Sequence, residues 1–122
     1  MKPILLIAIG GAAGSVARYL LSLFVMKQMT LAFPLGTMLV NLSGCFMIGL
    51  IYGLSSRYAW ITEEWRLLLA TGICGGYTTF SSFSYESIAL IREGDYAHFF
   101  GYVSGSVILG LLATAGGFWL TR

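Results

Sequence analysis

Charge is what this chain has least of. Only 10% of its 122 residues are Asp, Glu, Lys or Arg, where a soluble domain carries about 25%. That shortage excludes an ordinary water-soluble fold. The formal net charge of +2 is too small to point to a nucleic-acid partner, and the small excess reads as lysine and arginine flanking helix ends. Cysteine is equally sparse. Cys45 and Cys74 make neither a disulfide framework nor a metal-ligand cluster. Both fall inside apolar stretches, where they read as small buried hydrophobes. No nucleophile–base pair, zinc motif or phosphate loop occurs, so an enzyme is not expected.

What abounds is apolar surface. Hydrophobic residues make up 57% of the chain, and mean hydropathy is +0.83. A helix needs roughly 20 apolar residues to cross the hydrocarbon layer. Four stretches reach that length, at residues 4–26, 33–54, 65–92 and 98–121. The connections are short, so residues 1–122 are predicted to form one four-span domain of an all-α, multi-pass membrane protein. Lys2 followed by ILLIAIGGAAG has the layout of a secretory leader. The apolar run continues past Arg18 into YLLSLFVM, which makes it long enough to span.

Four spans put the termini and the second connection on one side of the membrane. Lys2, Arg57, Arg66 and Arg122 lie there, against Lys27 and Arg92 on the other side. Two readings fit this weak bias. Either the termini are cytoplasmic, or the chain inserts both ways and pairs with an inverted copy of itself. Every span also carries glycines four apart: Gly10/Gly14, Gly49/Gly53, Gly72/Gly76 and Gly101/Gly105. Small residues at that spacing let helix backbones approach closely.

The third stretch holds CGGYTTFSSFSYE, residues 74–86. Its 28 residues exceed what a bilayer needs, and its midpoint falls between Thr78 and Thr79. Adjacent glycines weaken a helix by about 1 kcal/mol each relative to alanine. Threonine hydroxyls compete for backbone hydrogen bonds. A break near the bilayer midplane is therefore expected, the alternative being a continuous helix whose glycines serve packing alone. Freed backbone groups in lipid cost several kcal/mol each unless an ion or a partner helix satisfies them. In transporters such carbonyls often coordinate a cation, while half-helix N-termini favour anions. If two inverted copies meet at that depth, carbonyls near Gly75 and Thr78 of each chain face one another. Four oxygens in a small cage suit a structural sodium ion.

Beyond the break, Phe80 and Phe83 share one helix face, with Ser81 and Ser84 on another. Ring edges are electropositive, so the pair reads either as core packing or as an anion contact. Asn41 lies mid-span, one turn after Thr37, and reads either as interhelical glue or as a pathway donor. Tyr102, Ser106 and Thr114 form a hydroxyl stripe with a gap at Gly110. With Thr79 they complete a candidate wall of donors. Such a wall, with few carboxylates, suits a small anion. Arg18 and Glu86 are the charges furthest inside the spans and read as structural supports. Asp95 and His98 sit at a helix boundary, facing water.

GGAAGSVARY (10–19), GTMLVNLSG (36–44) and GGYTTFSSFSYE (75–86) resemble the CrcB/Fluc fluoride channel family over essentially the whole chain. The resemblance implies a passive, fluoride-selective channel that exports cytoplasmic fluoride across the plasma (inner) membrane of a prokaryote. It implies an inverted, dual-topology homodimer with two pores, and a central sodium ion held by the carbonyls of Gly75 and Thr78. The pore residues it implies are Asn41, Phe80, Phe83, Tyr102, Ser106 and Thr114, with Arg18 in support. Gly110 departs from the serine expected in the stripe. The competing reading is a small proton-coupled multidrug exporter, which needs a deep carboxylate. The first span has none, and Glu86 is off centre.

Overall fold

The computed structural model describes residues 1–28 and 33–122. Its elements are helices, with no strand among the described residues. Three of them are long and apolar enough to cross a membrane: α1 (Lys2–Gln28), α2 (Leu35–Arg57) and α6 (Tyr96–Thr121). At 1.5 Å per residue each exceeds the roughly 30 Å hydrocarbon layer. The stretch expected to form a further span is instead a series of shorter pieces. These are α3 (Glu63–Arg66), a π-helical segment (Leu67–Cys74), α4 (Gly75–Tyr77) and α5 (Phe80–Arg92). The first three wind on continuously, and Thr78 and Thr79 then interrupt the helix in extended conformation. Eight residues of π winding are rare.

Two pairings organise these elements. The α1 helix packs against the π segment and α4, and α2 packs along α6. Glycine permits both contacts. A methyl group built on Gly10 would lie 2.5 Å from the Leu68 carbonyl oxygen and 2.9 Å from Gly72 Cα. One on Gly76 would lie 2.5 Å from the Gly11 carbonyl. On the other side, Gly49 abuts the Thr114 carbonyl, Gly53 abuts Thr121, and Gly117 abuts the Phe46 carbonyl. Thr121 Oγ1 also donates to Leu50 O at 3.0 Å.

The Gly101/Gly105 pair does not take part in this way. Among the described residues Gly101 meets nothing within 4 Å, and Gly105 meets only the Met38 side-chain end at 3.2 Å. The buried glycines of α6 are Gly110 and Gly117. Nine residues separate Gly101 from Gly110, which is about 180° around a helix. Gly101 therefore lies on the face turned away from α2.

Short connections hold the ends. Gly94, with φ +74°, ends α5. There Asp95 N donates to Leu90 O and Gly94 N to Ile91 O, both at 2.9 Å, the double bond of a Schellman turn. Asp95 then caps α6 by accepting from His98 N. At the opposite end Lys2 pairs with Glu64 at 3.1 Å, and Arg66 donates to Ser55 Oγ at 2.7 Å. Trp60 stands beside Tyr58 and Trp65 there, a composition suited to the membrane–water boundary.

Candidate functional site

The interruption at Thr78–Thr79 organises the site. Both residues have extended dihedrals (φ −82°, ψ 156° and φ −146°, ψ 113°). The two threonine hydroxyls finish the helix ends on either side. Thr78 Oγ1 donates to Cys74 O at 2.9 Å, and Thr79 Oγ1 accepts from Ser82 N at 3.1 Å, capping α5. This is the competition between hydroxyl and backbone that disfavours threonine in helix interiors.

Side chains from α1 and α2 reach the rims of the gap. Ser15 Oγ and Arg18 Nε point at the Gly76 carbonyl, at 3.4 and 3.5 Å. Ser43 shares a 2.8 Å hydrogen bond with the Tyr77 hydroxyl. Asn41 Nδ2 donates to Thr79 O at 3.1 Å, and Asn41 Oδ1 accepts from Thr79 N at 2.8 Å. No hydrogen bond from the described residues reaches the carbonyls of Gly75 or Thr78. Carbonyl oxygens left without a donor are the ligand type that a hard monovalent cation takes. The residues present therefore fit a sodium ion.

A groove of about 370 Å³ opens beside the gap, bounded by Asn41, Thr78, Thr79, Phe80, Phe83 and Ser106 among others. No acidic residue is among the described residues that line it. Ser106 Oγ is buried there without a hydrogen-bond partner among the described residues. Phe80 is 78% exposed, and its ring centroid lies 5.8 Å from that of Phe83. The aromatic series continues inward. Phe83 lies 5.1 Å from Tyr102, and Phe33 meets Tyr102 edge-on at 5.5 Å. Tyr102 is fully buried and its hydroxyl donates to Glu86 Oε1 at 3.3 Å. Glu86 and Thr37 line a second cavity of about 310 Å³, together with Glu93 and Ser22.

The sequence-predicted residues thus fall into groups. Asn41, Thr79, Phe80, Phe83 and Ser106 share the first groove, while Thr37 and Glu86 share the second cavity. Tyr102 bridges them through Phe83 and Glu86. Thr114 stands apart, with its carbonyl against Gly49 in the α2–α6 contact. Ser81 is exposed, its hydroxyl 3.3 Å from that of Thr79. Sequence reasoning passed over Ser15, Ser43, Tyr77 and Phe33. Ser15 and Ser43 carried a faint signal, being hydroxyls in otherwise apolar spans. Their targets are backbone or phenol groups 61 and 34 residues away, a separation that spacing along one helix does not reveal.

The geometry brings polar donors, two aromatic rings and the residues with bare carbonyls, Gly75 and Thr78, to one groove beside a broken helix. It holds no cluster of three or more His, Cys, Asp or Glu side chains among the described residues. Comparison with known proteins agrees with a transport role. Residues 5–118 match the model of the family described as CrcB-like protein, Camphor Resistance (CrcB). The chain is 50% identical to a protein of Phocaeicola vulgatus named fluoride-specific ion channel FluC, over the full length of both. It is 48% identical to the protein of that name from Solibacter usitatus, covering 97% of each chain. Against the Leptospira interrogans protein, identity is 43% over 99% of this chain and 95% of the relative.

Proposed function

Since this chain belongs to the CrcB-like family, we propose that it is a fluoride-selective channel through which cytoplasmic fluoride leaves the cell passively. Fluoride enters cells as neutral HF in acid surroundings and dissociates at neutral pH. The trapped anion then leaves down its electrical gradient. The observation that carries the assignment to this site is the buried, unpartnered Ser106 hydroxyl in a groove without acids. A lone hydroxyl in such a place costs free energy unless a passing anion accepts from it. The remaining N–H of Asn41 and the edges of Phe80 and Phe83 add weak contacts that replace part of the ion's water without holding it.

The functional unit is an inverted homodimer in the plasma (inner) membrane of a prokaryote. The broken piece, α3 through α5, makes the fourth crossing, with its gap near the midplane. This reading is supported by the 78% exposure of Phe80 and by the bare carbonyls of Gly75 and Thr78, which a second copy covers. Those carbonyls, two from each chain, would hold a structural sodium ion. A bound cation supplies charge to satisfy the freed backbone and join the copies; this chain's part is to present the oxygens. Proton-coupled drug exchange needs a deep carboxylate, whereas Glu86 is engaged by Tyr102 and α1 contains no acid.

The test is reconstitution in liposomes with fluoride and chloride followed by ion-selective electrodes. Rapid fluoride release with chloride retained is the expected result. Proton-dependent uptake of a lipophilic cation without fluoride release would replace the channel by an exporter.

A further inference from the structure

A gap in a membrane helix raises the question of what holds it open. The usual candidates are an ion and a neighbouring subunit. In this structure the downstream rim is already held from inside the chain. Asn41 gives a hydrogen bond to Thr79 O and takes one from Thr79 N, at 3.1 and 2.8 Å. That double exchange is the pattern of a hydrogen-bonded antiparallel residue pair, with one side chain standing in for a second strand. Only a primary amide presents donor and acceptor on one edge. Aspartate offers acceptors alone, and glutamine is one methylene longer.

Thr79 passes the constraint onward. Its hydroxyl caps α5 at Ser82 N, and Phe80 and Phe83 begin that helix. The directions of both rings therefore depend on where Thr79 is fixed. The upstream rim has its own ties, from Ser15 and Arg18 to Gly76 O and from Ser43 to Tyr77. We infer that Asn41 is a positioning residue: it clamps Thr79 so that the break and the phenylalanine pair are set within a single chain, before any cation or second copy arrives. Its effect on the pathway runs through Thr79 as well as through its remaining N–H. Only the transport arm of the test rests on the fluoride-channel reading.

Hydrogen–deuterium exchange on the purified full-length chain in micelles reads the clamp directly. Peptides over residues 78–84 are followed in sodium buffer and with sodium replaced by N-methylglucamine. Protection of Thr79 and Ser82 is expected to survive sodium withdrawal. In Asn41→Ala those amides should exchange at least about tenfold faster in both buffers, while peptides over residues 46–50 keep their protection. Asn41→Asp, close in shape, preserves an acceptor for Thr79 N but turns an oxygen toward Thr79 O. It should exchange faster than the native chain at Ser82 and decides the matter if the alanine variant does not fold. Sodium withdrawal that deprotects the segment as far as Asn41→Ala does would overturn the inference, as would native protection in both variants. In liposomes both variants should release fluoride at least about tenfold more slowly. A native chain that releases no fluoride removes the channel reading and leaves the exchange result to judge the clamp.

Discussion

Replacing Gly10 by alanine probes the contact between α1 and the π segment. The new methyl group meets the Leu68 carbonyl oxygen at 2.5 Å, Gly72 Cα at 2.9 Å and Ile73 N at 2.9 Å. All three are backbone atoms, so no side chain can rotate away. Ordinary contact distances require the helices to part by roughly 0.7 Å, and a gap of that size forfeits a quarter to a half of each dispersion contact it opens. Overpacking of this kind costs about 1–3 kcal/mol. The better helix propensity of alanine returns about 1 kcal/mol, leaving a net loss of up to about 2 kcal/mol. Thermal unfolding in detergent should then fall by up to about 10 °C. Gly101→Ala is the control. It meets nothing among the described residues, so only the propensity gain of about 1 kcal/mol remains and stability should hold or rise. A Gly10→Ala chain that melts as high as Gly101→Ala would refute the close approach of α1 to the π segment.

Three further outcomes are expected. Phe80→Ile removes the ring edge while keeping an apolar side chain, and should cut fluoride efflux at least about tenfold without changing the elution volume of the proposed dimer on size-exclusion chromatography. Ser106→Ala deletes a buried hydroxyl that has no partner among the described residues; its melting temperature should hold or rise while fluoride efflux falls, and a fall in both would mean that the hydroxyl is structural. The Asp95 carboxyl is held below its ordinary pKa by hydrogen bonding from the His98 side chain and, to a lesser degree, its backbone. A carboxyl of depressed pKa stabilises the fold above its unfolded value and surrenders that stability as pH falls through the lowered one. The cap of α6 should therefore persist at neutral pH and fray below about pH 4. Exchange at His98 N reads this, and Asp95→Asn should abolish the pH dependence.

The apolar spans could be read from composition because lipid leaves few ways to satisfy a backbone. The interruption could be read too, since Gly75-Gly76 and Thr78-Thr79 each oppose a helix for a separate local reason. Packing was legible only in part. Gly10, Gly49, Gly53, Gly72 and Gly76 do lie at close approaches. Gly101 has the same spacing from Gly105 and packs against nothing among the described residues, whereas Gly117, outside the noted pairs, carries a contact with α2. Spacing identifies a flat face and says nothing of which neighbour fills it. The partners of polar groups were hidden for a related reason. Asn41 and Thr79 stand 38 residues apart, and only the fold brings the amide to that peptide group. Thr114 continues the stripe of Tyr102 and Ser106 on paper, but the 40° drift of each four-residue step accompanies its turn into the α2–α6 seam.

The hold of Asn41 on Thr79 falls on main-chain atoms, which makes mutational tolerance lopsided between the two positions. Exchanging Thr79 for serine leaves both peptide groups and a capping hydroxyl in place. Position 41 has no such freedom, because few side chains offer donor and acceptor from one planar edge at that reach. Random mutagenesis scored by growth in fluoride should find position 79 open to small hydroxyl residues and position 41 closed.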